Sequence, residues 1–513
     1  MNFFLKINFI KKIITKIISL IFFVFFFSFT SKAQLIHDFR VNDDTALISG
    51  KYNARISTNK YGYSAIIWEE QLPTLKNIFA QIYDINFIKI NNNFKINSFA
   101  DTIGGPDIVI NDKNLIGIVW QKHGIILNNT YTYASRTFFR MYNVYGFPIT
   151  SYIQLNDSLK SYDGYPRIGS DSFGRFIVTW LYTYGSVYFQ ILDSVGNKIG
   201  NNVRVNDYNT NGGIPDILVR KDGSFIIVWA DYRGPGVNIY MQVFNRNGIP
   251  VGINQMVNDT IGQYDNCNNP KIVQDSSGNF VVAFNEYILN ANWNFIKYQR
   301  YDKYGLKIGY NKEIYGSPGQ FYLSSFDSDE TGNLVFQFNF PNAVNYHVYN
   351  LRIDKYDNPI GTYFPVSNEF ISSGKTAEDI NLFNRKIINV WRDIRLSTQP
   401  QIYANIRSFI NPDSTIGIVN ITNELPDEFK LFQNYPNPFN TNTIISFEIY
   451  KIGNYKIEVY DILGKIIIEY SYVNLKPGMY KISFKGENLS SGMYYYRISN
   501  TKSSLEKKMF LIK

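Results

Sequence analysis

One cysteine, Cys267, occurs in 513 residues. An internal disulfide is therefore excluded, and stability must come from core burial rather than covalent cross-links. Histidine is nearly as scarce: His37, His123 and His347 lie far apart in the sequence. A zinc site or a Cys/His pair would need closely spaced partners, so no metal and no cofactor is expected. Charged residues make up only 18% of the chain. The formal net charge of +9 sits mainly at the two ends: five lysines precede Gln34, and the segment from Glu424 holds 12 basic and 9 acidic residues. The middle is close to neutral, which gives no footing for nucleic-acid binding. After residue 33 no apolar run reaches the roughly 20 residues of a spanning helix, so no transmembrane span is expected in the mature chain.

What is abundant points to strands. Aromatics reach 17%, with 40 Tyr and 40 Phe, and such residues favour pleated, half-buried backbone. At the front, Lys6, Lys11, Lys12 and Lys16 precede an uncharged apolar run from Ile17 to Thr30, then Ser31-Lys32-Ala33. This order predicts a signal peptide over residues 1–33, cleaved after Ala33.

The middle repeats itself. A bulky aromatic closes an apolar run at Trp68, Trp120, Trp180, Trp229, Phe284, Phe338 and Trp391, at spacings between 49 and 60 residues. Six residues before each stands Gly62, Asn114, Gly174, Gly223, Gly278, Gly332 or Arg385. Glycine there suits a hairpin turn that needs positive φ. A second strand follows in each repeat, with Gln81, Gln190, Gln242 and Gln299 at one equivalent position. Three residues on stands Asp84, Asn143, Asp193, Asn245, Asp302 or Asp354, whose side chains can bond the backbone two residues later and open a turn. Asn-Asp pairs then end a further strand, at 156–157, 206–207 and 258–259.

Four strands per repeat of about 50 residues is the arithmetic of a propeller blade. The last repeat lacks its fourth strand, and Phe39-Arg40-Val41-Asn42-Asp43 matches Val203-Arg204-Val205-Asn206-Asp207. The N-terminal strand is therefore expected to close the ring and remove an exposed edge. The fold class is all-β: a seven-bladed β-propeller over 34–412, a linker at 413–423 and a small Ig-like antiparallel β-sandwich over 424–513. Six or eight blades stay open, because the repeat around Phe338 diverges most. The Asp-x-x-Gly spacing resembles the Asp-box of sialidase-type propellers, but the aromatic follows Gly by six residues here instead of three, so that activity is not carried over.

Acids follow several anchors: Glu69, Glu70, Asp231, Glu286 and Asp393. Two carboxylates about 5–10 Å apart could hydrolyse a glycosidic bond. A residue recurring in most blades fits ion pairing better than a unique catalytic pair, so no catalytic residue is assigned. The Asn-Asp ends lack the spacing of a calcium loop. The segment from Lys122 to Thr137, with Tyr131 and Tyr133, and the segment after Phe284, with Trp293, read as variable loops. Their aromatics are candidates for a face that takes sugar rings or a protein partner.

The tail carries the most specific motifs. Asn434-Tyr435-Pro436-Asn437-Pro438-Phe439-Asn440 is followed by Val459-Tyr460-Asp461-Ile462-Leu463-Gly464-Lys465, then by Leu489-Ser490-Ser491-Gly492-Met493-Tyr494, and finally by Lys507-Lys508. In order and spacing these closely resemble the type A C-terminal sorting domain of cargo exported by the type IX secretion system of Bacteroidetes-like bacteria. The resemblance implies export to the cell surface or outside the cell, with the outer-membrane secretion machinery as partner. It also implies removal of the tail near 413–423 and, for many such proteins, attachment to surface lipopolysaccharide. The function expected for the propeller is binding or adhesion through a glycan or protein ligand. The alternatives are a polysaccharide-degrading glycoside hydrolase or lyase and a structural surface-layer component.

Overall fold

A computed structural model describes residues 34–409 and 429–513, apart from 45–48, 74, 98–102, 128–129, 158–163, 183–184, 208–211, 235, 260–265, 319–321, 342–345, 368–375, 397–398, 450, 463, 477 and 502. The signal peptide expected over 1–33 and the linker expected at 413–423 lie outside the described residues. The chain divides into two compact units, Met1–Thr415 and Ile416–Lys513.

The first unit is a β-propeller whose described residues form seven four-stranded sheets. Blade three shows the plan. Gly164–Ser170 is innermost, followed outward by Phe176–Tyr182, Ser186–Leu192 and Lys198–Arg204, all antiparallel. The innermost strand of each blade neighbours those of the blades before and after it, and the cycle closes between blades seven and one. Blade seven takes three strands from the end of the unit and its fourth from the beginning. Gln34–Arg40 pairs with Gln401–Ser408, with Phe39 opposite Ala404 and Arg40 opposite Tyr403.

The hairpin between first and second strands explains the turn residues. Gly62, Gly174, Gly223, Gly278 and Gly332 all take φ between 86° and 89°. Asn114 and Arg385 occupy the same left-handed region at 59° and 57°, where a side chain costs energy and glycine does not. The second strands are buried, and all seven anchor aromatics are at most 3% exposed. Each anchor lies opposite a third-strand residue and most stack on it: Trp68 on Phe79, Trp120 on Phe138, Trp229 on Tyr240 and Trp391 on Tyr403. Burying one such side chain stabilises by roughly 1.5–3 kcal/mol. The hydrophobic clusters lie between consecutive blades, as where Trp68 packs with Ile388 and Val390 across the closing seam.

The expected loops are corrected. The stretch from Lys122 to Thr137 is not a long loop. Leu115–Leu127 and Thr130–Asn143 pair through it, with Ile126 opposite Tyr131. Ile125-Ile126-Leu127 and Tyr131-Thr132-Tyr133 are strong strand formers, so the hairpin lengthens instead of ending at the anchor.

The second unit is a small antiparallel sandwich. One sheet holds Phe429–Leu431, Asn442–Ile449 and Gly478–Lys485; the other holds Ile466–Leu475, Gly453–Asp461, Gly492–Ser499 and Ser504–Leu511. Phe429, Phe447, Ile457, Val459, Tyr496 and Met509 build its core. Among the described residues of the chain, no helix is long and apolar enough to cross a membrane.

Candidate functional site

The five acids that follow the anchors are held by neighbours. Asp231 is fully buried. Its Oδ2 accepts from Trp229 Nε1 at 2.9 Å and Arg233 Nη2 at 2.8 Å, and its Oδ1 accepts from Arg233 Nε at 3.0 Å. Burial raises its pKa, but these hydrogen bonds outweigh that and hold it below the usual carboxylate range. Asp393 repeats the arrangement with Arg395, at 2.6 and 2.8 Å. Glu70 accepts from Lys51 at 3.0 Å and Ser49 at 2.8 Å. Glu286 pairs with Lys297. Glu69 is the exception in kind, because its partners come from two blades. It accepts from Asn53 Nδ2 at 2.9 Å and the Gly105 amide at 2.8 Å, with Lys76 at 3.3 Å.

The Asn-Asp ends clasp one blade to the next. The Asp157 amide donates to Asn202 Oδ1 at 2.7 Å, and the Asn202 amide returns a bond to Asp157 Oδ2 at 3.2 Å. Asn202 Nδ2 also reaches the Leu155 carbonyl and the buried Gln190 Oε1. The Gln190 Nε2 group then spans the carbonyls of Ile191, Ile199 and Gly200. The same set recurs with Gln81 and Asn93, Gln242 and Asn254, and Gln299 and Asn311. Asn156, Asn206 and Asn258 each accept a backbone amide from the third strand of their own blade, from Thr137, Val187 and Ile239. All six Asx residues cap their turns as their spacing predicts. Asp84 Oδ1, for example, accepts from the amides of Asn86 and Ile88.

The aromatic candidates separate. Tyr131 and Tyr133 fall within the strand Thr130–Asn143, and their side chains lie outside the described residues. Trp293 does not lie on a loop as expected: the second strand runs on to Ile288 and Trp293 opens the third strand of blade five, where it is 38% exposed and stacks on Phe295 at 5.8 Å with an interplanar angle of 22°. Lys297 continues that face, its ammonium 5.4 Å from the Phe295 ring.

Sequence spacing gave no hint of a polar cluster where blades seven, one and two meet. Glu378 is buried, accepts from the Ala54 amide at 3.2 Å and lies 3.3 Å from Arg392. Burial raises its pKa to about 7 despite Arg392. Arg392 in turn lies 5.2 Å over the Tyr52 ring. Beyond Glu69 and Lys76, His123 is half-buried against Gln121 Nε2, at 2.8 Å, and burial lowers its pKa. Ring closure brings Glu378 and Arg392 beside residues more than 250 positions earlier, so no local pattern could reveal them.

In the C-terminal unit most motif residues serve the fold. Asn434 is buried, donating to Thr443 Oγ1 and the Pro436 carbonyl. Phe439 is 2% exposed in the core, and Asn437 Oδ1 accepts the Phe510 amide. Asp461 Oδ1 caps the turn at Lys465, with Gly464 at φ 80°. Tyr494 donates to the Ser490 carbonyl at 2.9 Å, beside Gly492. Tyr480 and Tyr455 make the same bond four residues back, to Lys476 and Lys451. Tyr435, Pro436, Pro438, Lys465 and Lys508 are exposed, and Lys507 is partly so. Residues 433–513 match the family described as the secretion system C-terminal sorting domain. The tail is a sorting domain. It makes the chain type IX secretion cargo, exported to the cell surface or the extracellular space, and implies contact with that machinery.

For the propeller, an ulvan lyase of polysaccharide lyase family PL25 is similar over 70% of this chain and 94% of its own, with 12% identity and a TM-score of 0.50. The polysaccharide lyase Uly1 aligns over 74% and 100%, at 10% identity and 0.48. A protein of unknown function from Dyadobacter fermentans aligns over 73% and 98%, at 8% identity and 0.45. At such identities the likeness concerns the fold. No curated protein matches the chain.

Proposed function

We propose that the propeller is a saccharide-binding module carried to the cell surface or beyond by its sorting domain. The observation that carries this reading is the state of the anchor-following acids. Asp231, Asp393, Glu70 and Glu286 are each committed to a cation. Such acids hold the blades in place; they do not offer a free acid/base pair. Beside the Glu286–Lys297 pair, Trp293 and Phe295 supply a partly exposed aromatic platform of the kind that stacks on sugar rings. Tyr131 and Tyr133 are proposed to extend it. Removal of the sorting domain within 413–423 and attachment to surface lipopolysaccharide complete the proposal.

The test is a glycan array with the purified protein and product analysis of every hit. Saturable binding to glycans that stay intact is expected, and Trp293→Ala should weaken it about tenfold or more with an unchanged melting temperature. Unaltered binding by this variant would remove the platform from the proposal. A second reading, a polysaccharide-degrading enzyme, is favoured by one observation: the cluster of Glu69, Lys76, His123, Glu378 and Arg392. It joins a half-buried imidazole of lowered pKa to two cations and a carboxyl of raised pKa, the kind of tuning found at catalytic sites. Shortened glycans on the array, abolished by His123→Ala, would select it.

A further inference from the structure

The lumen of the propeller repeats a charge pattern with one break. At one equivalent position the innermost strands carry, in ring order, Arg55, Asp107, Arg167, Asp216, Lys271, Ser325 and Asp379, all lining a cavity of about 480 Å³. The acids are turned onto the wall. Asp107 Oδ2 accepts the Ile168 amide at 2.9 Å, Asp216 Oδ2 the Ile272 amide at 3.0 Å and Asp379 Oδ2 the Ile56 amide at 3.0 Å. Each acid thus binds the residue that follows the cation of the next blade. The cations are left less well matched. Arg55 Nε stands 3.9 Å from Asp107, and Arg167 Nε stands 4.0 Å from Asp216. Arg167 is 7% exposed, and its Nε has no hydrogen-bond partner. Lys271 has no carboxylate within 4.0 Å and no hydrogen bond from its ammonium among the described residues. The blade after it offers Ser325, whose hydroxyl is given to Asp379 at 2.6 Å.

We propose that the lumen is an oxyanion-binding site, in which a sulfate or carboxylate group is held by Lys271 and Arg167. A cation drawn partly out of water without a partner is costly. An unpaired cation and an unpaired guanidinium donor lining one cavity form a site that an anion completes. Lys271 shows the strain of its position: burial first, then Arg167, push its pKa down to about 8. A bound anion relieves both effects. The chemistry fits a free inorganic oxyanion or the acidic group of a saccharide. The site is independent of the aromatic platform.

Thermal melting and calorimetry of the purified protein test it, with sodium sulfate or sodium glucuronate titrated against chloride at constant ionic strength. A saturable rise in melting temperature is expected, since a ligand that binds only the folded state stabilises it. The probe that binds more tightly identifies the source. Lys271→Gln should weaken binding at least tenfold. Lys221→Gln, an exposed cation at the rim of the same cavity, should not. Loss in the rim variant alone, or no saturable response to either probe, overturns the proposal. Selenate soaked into crystals gives a second readout that needs no variant: an anomalous peak beside Lys271 Nζ is expected, and a lumen without one overturns the site.

Discussion

Blade six and its neighbours solve the same packing problem in different ways. Where blades one, three, four and five meet the blade before them, the seam is polar: a buried Gln, an Asn twelve residues later and an Asn-Asp end from the preceding blade. Two further seams keep the geometry with other residues. Arg140 and Tyr152 reach the Ile96 carbonyl, and Asn405 and Arg407 reach that of Val366. At the seam between blades five and six Leu351 replaces the Gln. Tyr315 stacks on Phe338 at 6.3 Å, Phe338 on Tyr349 at 6.3 Å, and Tyr363 meets Tyr349 edge-on at 5.5 Å. The same blade puts Ser325 in the charge ring and Asp327 two residues on, where other blades carry Ser57, Val109, Gly169, Leu218, Val273 and Asn381. A repeat can therefore exchange a hydrogen-bonded seam for an apolar one, provided both sides of the seam change together.

Breaking each kind of seam measures that exchange. Phe338→Ala should have the largest effect, about 3–5 kcal/mol, because it leaves a cavity between stacked rings. Gln242→Leu copies the blade-six residue into a polar seam without its aromatic partners. It leaves the carbonyls of Val243, Val251 and Gly252 without their donor and the Asn254 amide without its acceptor. The expected cost is about 2–3 kcal/mol, read from denaturant unfolding. If Gln242→Leu were neutral, the clasp would be decoration and the aromatic seam would need no compensation.

Asp327 sharpens the comparison through pH. Burial pushes its pKa up to about 7, against the pull of the Leu382 and Ser328 amides. In an unfolded chain the group titrates near 3.9. Between about pH 4 and pH 7 the folded state therefore keeps a proton that the unfolded state has lost, and this group's contribution to stability falls as pH rises. Asp327→Asn should flatten the dependence of melting temperature on pH across that window. A wild-type slope retained in the variant would place the titration elsewhere.

Much of this architecture was readable because it recurs at fixed spacing. The left-handed turns, the buried anchors, the Asx caps and the likeness of residues 39–43 to 203–207 all repeat. The purpose of Gln190 and Asn206-Asp207 was not readable. Their partners lie about one strand away or one blade away, and a single sequence lists residues without their pairings. A loop around Tyr131 and Tyr133 is the reading that the other repeats suggest, whereas local β propensity extends the hairpin through both. The group of Glu69, His123, Glu378 and Arg392 exists only because the ring closes, so nothing in local spacing marks it.

The turn between first and second strands is where blade six does not differ, and it sets the smallest expected effect. Gly332 and Gly278 have φ of 89° and 86°. An added methyl would sit 3.2 Å from Asp275 Oδ2 at Gly332 and 3.3 Å from Lys303 Cβ at Gly278. The two contacts are nearly equal in length, one to a carboxylate oxygen and one to a Cβ held by the backbone, so the left-handed conformation that both share sets most of the cost. Gly332→Ala and Gly278→Ala should each lose about 1 kcal/mol, and by the same amount within error. Equal losses would show that blade six departs from the others only at its seam and lumen, while its hairpin obeys the common rule. A markedly larger loss at Gly332 would mean that the aromatic seam leans on this turn, and that the two solutions differ in more than the residues that face each other.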